Sequence, residues 1–80
     1  MANIKFEVRG DLGTLTDFPT WNKYVRLVSW NGAEPKIDVR VWNTETDLPA
    51  KGIALNDEEA RRLYEILKDY FAKREEEVSQ

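Results

Sequence analysis

The chain has 80 residues and a mass of 9.4 kDa, with 41% hydrophobic residues, enough for one small domain with one modest core. It contains neither cysteine nor histidine. Disulfides, thiolate chemistry and sulfur metal sites are therefore excluded, and the usual general base and zinc ligand are missing. No apolar run approaches the roughly 18–20 residues of a membrane span, and Met1-Ala2-Asn3-Ile4-Lys5 lacks a signal-peptide stretch, so a cytoplasmic, non-catalytic module is expected. The net charge of −3 argues at first against a nucleic-acid partner. The first 51 residues, however, carry seven charges of each sign, and all the excess negative charge lies after Lys51.

Residues 4–9 alternate strictly, with Ile4, Phe6 and Val8 on one face of a strand and Lys5, Glu7 and Arg9 on the other. Gly10 and Gly13 interrupt the pattern, and 12–20 is expected to be a bent continuation or a loop closed by Pro19. A second strand over 21–31 places Val25 and Leu27 opposite Tyr24, Arg26, Val28 and Trp30. Asn31-Gly32 signals a turn, and Pro35 points to a loop longer than two residues. Residues 36–42 alternate again: Ile37, Val39 and Val41 against Lys36, Asp38, Arg40 and Trp42. After a polar, turn-rich stretch, a short fourth strand is expected over 50–55.

A helix starts at Asn56, whose side chain can cap the first turn while Glu59 reaches back, and three acids suit its positive end. Ala60, Leu63, Tyr64, Ile66, Leu67, Tyr70 and Phe71 form one wide apolar stripe. Residues 1–74 are read as a single domain and 75–80 as a charged tail. Strands followed by a lone helix predict an α+β layer, with the helix covering the face of Ile4, Phe6, Val8, Val25, Leu27, Ile37, Val39 and Val41. The stripe is wider than that task needs, so Leu63, Ile66, Leu67, Tyr70 and Phe71 are expected to meet a second copy in a homodimer.

On this parity the open face collects Lys5, Arg9, Arg26, Lys36 and Arg40 against Glu7 and Asp38, interleaved with Tyr24, Trp30 and Trp42. Cations suit phosphates and flat rings suit unstacked bases, a combination that single-stranded nucleic acid satisfies and a duplex does not. Lys23 falls on the opposite parity and Lys51 precedes the fourth strand, so both are peripheral candidates. A one-residue slip would exchange the faces and turn Trp30 and Trp42 into core. Exposed aromatics also mark protein-interaction surfaces, and that reading stays open. The carboxylates at 57–59 are explained by capping, and those at 75–77 have no partner base or nucleophile. Neither catalysis nor a cofactor, metal or small-molecule substrate is expected.

The segments Val28-Ser29-Trp30-Asn31-Gly32, Pro35–Trp42 and Lys51-Gly52-Ile53-Ala54-Leu55-Asn56 resemble, in that order and spacing, the single-stranded-DNA-binding domain of transcriptional positive cofactor four. The small bacterial, YdbC-like members are the most similar in form. The resemblance implies a curved four-stranded antiparallel sheet followed by one helix (ββββα), homodimeric through the helices, with DNA lying across both sheets. Arg40, Trp30, Trp42 and Lys51 match the family's basic and aromatic positions; Asn31 and the stretch 12–20 depart from its pattern. The regulatory extension of the eukaryotic protein is absent, so the resemblance implies DNA binding in transcription, replication or repair rather than eukaryotic coactivation. The expected protein is bacterial and cytoplasmic, associated with the nucleoid at most. The full expected binding set is Lys5, Arg9, Lys23, Tyr24, Arg26, Trp30, Lys36, Arg40, Trp42 and Lys51, with single-stranded RNA as the alternative ligand.

Overall fold

The structure, a computed structural model, describes residues 5–78, with side chains through Glu75. Ile4 of the expected apolar face and the last two residues of the expected tail lie outside that range. The elements are β1 (Phe6–Thr14), β2 (Trp21–Trp30), β3 (Lys36–Asn43), β4 (Leu48–Leu55) and α1 (Asp57–Val78). The strands form one antiparallel sheet in the order β1-β2-β3-β4, so four strands followed by a C-terminal helix are observed as expected. The helix runs through Val78, into the segment read as a tail.

Local chemistry explains the boundaries. Asn31 and Gly32 both adopt positive φ, 53° and 79°, ending β2 at the Asn-Gly turn. Ser29 Oγ ties that turn down by donating to the Ala33 carbonyl at 2.6 Å. At the helix start, Glu59 N donates to Asn56 Oδ1 at 2.8 Å and Asn56 N donates to Glu59 Oε1 at 2.9 Å, the reciprocal capping box. The loop between β1 and β2 is built on Asn22, buried, whose side chain bonds both the amide and the carbonyl of Phe18 and the Thr16 hydroxyl.

Register corrects the assignment of β1. Antiparallel partners project to the same side, and Phe6 pairs with Trp30 and Val8 with Val28. Phe6 and Val8 therefore share the face of Trp30, and Lys5, Glu7 and Arg9 take the other. Alternation separates the two sides of a strand without saying which side is which, and here both sheet faces carry apolar residues. Two register shifts, between Val8 and Gly10 and between Asp11 and Gly13, then swap parity along β1. Bulges of this kind bend the strand that carries them. Side chains of β1 and β3 accordingly meet above β2: the Phe6 and Trp42 rings lie 5.5 Å apart, edge to face.

The core of the single chain sits on this face, with Val28 at 0% and Trp42 at 1% exposure. The expected cover of the opposite face by the helix is not what the chain does. α1 makes little contact with the sheet: Ala60, Arg61 and Tyr64 border an open depression together with Ile37, and the helix residues from Arg61 to Glu75 are exposed. Ile53, on the uncovered face, is 56% exposed. The radius of gyration is 15.4 Å, against about 12 Å for a compact chain of this length.

Gly52 faces Arg40 across β3 and β4. A Cβ at Gly52 would lie against Arg40 Cβ and 2.5 Å from both Arg40 Cα and the Val39 carbonyl oxygen, none of which can yield without moving backbone. Gly13 has open space at the same position. Gly52→Ala is expected to destabilise the fold by about 1–3 kcal/mol through overpacking. Gly13→Ala should stay within about 0.5 kcal/mol of the parent. Urea midpoints of the two variants measure the difference.

Candidate nucleic-acid interface

The register assembles one face from Phe6, Val8, Asp11, Tyr24, Arg26, Val28, Trp30, Lys36, Asp38, Arg40 and Trp42. Its organising group is Asp38, at 0% exposure. Both carboxylate oxygens are hydrogen-bonded: Arg40 Nε donates to Oδ1 at 2.8 Å, Arg40 Nη2 to Oδ2 at 3.0 Å, and Trp30 Nε1 to Oδ2 at 3.1 Å. A buried carboxylate needs such donors, since desolvation without them costs several kcal/mol. Arg40 Nη1 donates to the Ala50 carbonyl at 2.9 Å. Two of its five N–H donors thus remain without a partner among the described residues. The Arg40 guanidinium also lies over the Trp30 ring, 4.7 Å from the centroid.

A second stack runs beside the first. The Arg26 guanidinium sits 4.0 Å from the Tyr24 centroid and 4.8 Å from that of Trp42. Its ionic partner Asp11 is 3.7 Å away, beyond hydrogen-bond reach, and its Nε has no partner among the described residues; neither has Trp42 Nε1.

Of the expected binding residues, Tyr24, Arg26, Trp30, Lys36 and Arg40 come together on this face, Lys36 exposed and the others partly so. Trp42 joins them but is a core residue, covered by Phe6 and Arg26, and has no free ring face; this corrects the expectation that it stacks on bases. Lys5 and Arg9 do not belong here. Lys5 stands beside the β2–β3 turn, its amide donating to Asn31 Oδ1 at 3.2 Å, and Arg9 is the extra residue of a bulge and pairs with Glu7. Lys23 faces Val41 on the other side of the sheet, as its parity indicated. Lys51 is exposed at the irregularity of β4, next to Gly52.

The face therefore carries Arg26, Lys36 and Arg40 against Asp11 and Asp38, a far smaller cationic excess than the five-to-two expected. Sequence reasoning counted Asp38 as a passive charge, although its spacing of two from Arg40 on a strand already placed them side by side. Phe6 had no comparable signal, because its side depended on register. Among the described residues no cluster of metal-binding side chains occurs, and no helix is long and apolar enough to cross a membrane.

The chain is similar to known proteins. A family model described as "Transcriptional Coactivator p15 (PC4)" matches residues 19–66, more than half the chain and all of β2 to β4. A relative from Treponema pallidum (strain Nichols), named only as an uncharacterized protein, is 33% identical over 66 residues, spanning 81% of this chain and 78% of the relative.

The buried pair has a measurable consequence. Arg40→Leu removes the partner and leaves the Asp38 charge uncompensated, and it should cost about 3–5 kcal/mol of stability. Replacing Asp38 and Arg40 together by Leu should cost less than Arg40→Leu alone, as urea unfolding of the set would show.

Proposed function

Because the chain belongs to the transcriptional coactivator p15 (PC4) family, we propose that it binds single-stranded DNA with little sequence preference, through the sheet face that carries Trp30 and Arg40. The family is non-enzymatic, and membership in it supports single-stranded nucleic-acid binding. The observation that carries the reading is the Arg40–Trp30 stack, held by Asp38 and reachable from solvent. Bases lie against Trp30 and Tyr24; Arg26, Lys36, Lys51 and the free donors of Arg40 meet phosphates.

The working form is a homodimer joined through α1. Leu63, Ile66, Leu67, Tyr70 and Phe71 are all at least 40% exposed in the single chain. The chain exposes 6654 Å², where a compact monomer of its mass exposes about 5,000 Å². That excess is more than the roughly 800 Å² per partner of a standard interface.

Asp38 offsets the charge of Arg40, leaving about three phosphate contacts per subunit, so log K against log salt should fall with a slope of about −2 per subunit. Oligo-dT titrated into the protein at several salt concentrations, read by tryptophan quenching, measures this. A flat response, or equal affinity for duplex DNA, sinks the proposal. Competition between oligo-dT and oligo-U separates DNA from RNA. For the dimer, Leu67→Glu should yield a folded monomer in sedimentation, whereas a parent chain that already sediments as a monomer refutes the assembly.

A further inference from the structure

Arg40 and Trp30 do more than share a face. Together with Phe6, Leu48, Pro49 and Ala50 they line a depression of about 290 Å³, at the lower end of the roughly 300–1,000 Å³ of small-ligand pockets. The size suits one planar ring. Trp30 and Arg40, stacked on each other, line one part of it, and its other lining residues are apolar. Phe6 supports Trp30 from the side, with ring centroids 5.7 Å apart.

Neither wall would hold this position alone. An arginine side chain has high rotamer freedom, and an indole on an open sheet can rotate about two bonds. Asp38 removes both freedoms at once by binding the Nε–Nη2 edge of Arg40 and the Trp30 N–H, and it is itself fully buried. Its carboxylate lies behind the walls and does not line the depression. The geometry points to Asp38 as the positioning residue of a one-base pocket, in which an unstacked base enters beside Leu48 and Pro49 and lies against the Trp30–Arg40 wall. This rests on the single-strand reading and adds to it a defined subsite and the group that organises it.

Asp38→Asn tests the idea because charge and position make opposite predictions. The amide keeps the shape but turns an N–H₂ group toward donors that need an acceptor, so the wall loosens. It also removes a negative charge, which favours phosphate. Two probes separate these effects: oligo-dT and a phosphate–sugar oligomer of equal length with no bases. For Asp38→Asn, affinity for oligo-dT should fall about tenfold, within the range of one lost stacking contact, while affinity for the abasic oligomer holds or rises. Parallel weakening on both probes, or no change on either, overturns the role of Asp38. If Asp38→Asn does not fold, as circular dichroism would reveal, Leu48→Ala decides. Leu48 is 56% exposed, so the fold tolerates the change, and oligo-dT binding should weaken about threefold from lost apolar contact with the abasic oligomer unaffected. Equal effects on both probes refute the pocket. A parent chain that binds neither oligomer refutes the single-strand reading itself, an outcome distinct from failure of the variants alone.

Discussion

A buried carboxylate with both oxygens hydrogen-bonded is the constraint on which this sheet depends. Asp38, the third residue of β3, is buried only because Arg40 and Trp30 donate to it. That requirement propagates outward. Arg40 must lie flat along the sheet, which brings Nη1 to the Ala50 carbonyl and its backbone so close to β4 that only glycine fits at position 52. Trp30 must turn its N–H inward, which presents the ring to Phe6 on one side and to Arg40 on another. Ordering these two side chains costs conformational entropy on folding, so little of that cost remains when a ligand arrives.

The same arrangement decides which kind of contact dominates. With Asp11 and Asp38 set against Arg26, Lys36 and Arg40, the face is close to neutral, and long-range attraction of a polyanion is modest. Both arginines are stacked on rings, Arg40 on Trp30 and Arg26 between Tyr24 and Trp42. A stacked guanidinium is a flat surface with donors at its edge, suited to a base as much as to a phosphate. Stacking contributes about 1–3 kcal/mol per base, so two rings outweigh the small net charge. A duplex keeps its ring faces covered and would gain only the weaker part.

Much of this was legible in the chain. Alternation located β2 and β3 and put Tyr24, Arg26, Trp30, Lys36 and Arg40 on one side; Asn56 and Glu59 marked the helix start with its reciprocal bonds. The failures share one cause. Which side β1 presents depends on its register with β2, set by a long loop and two bulges that alternation does not encode. Once Phe6 turns to the Trp30 side it lies against Trp42, and that contact helps make Trp42 core instead of ligand surface. A single strand turned over thus accounts for Lys5 and Arg9 leaving the face and contributes to the burial of Trp42. The helical stripe was equally plain, but periodicity reports that a face is apolar and not what it meets.

The position of the helix also reconciles an acidic chain with the polyanionic ligand proposed for it. All the net negative charge belongs to α1, whose 22 residues extend about 33 Å at 1.5 Å per residue. Screening at physiological salt reduces charge interactions beyond about 8 Å, so acids from the second turn onward act weakly on the Trp30 face. Two of the three first-turn acids are turned elsewhere. Asp57 lies by Ile37, on the opposite side of the sheet from Trp30, and Glu59 is engaged with the Asn56 amide. A helix folded back over the sheet, as small α+β domains usually have it, would bury the apolar stripe and bring the whole acidic helix within about one helix diameter of the strands. Extended, it keeps the repulsive charge away from the rings and leaves its apolar stripe exposed, so one geometric choice is compatible with both the proposed ligand and the proposed dimer.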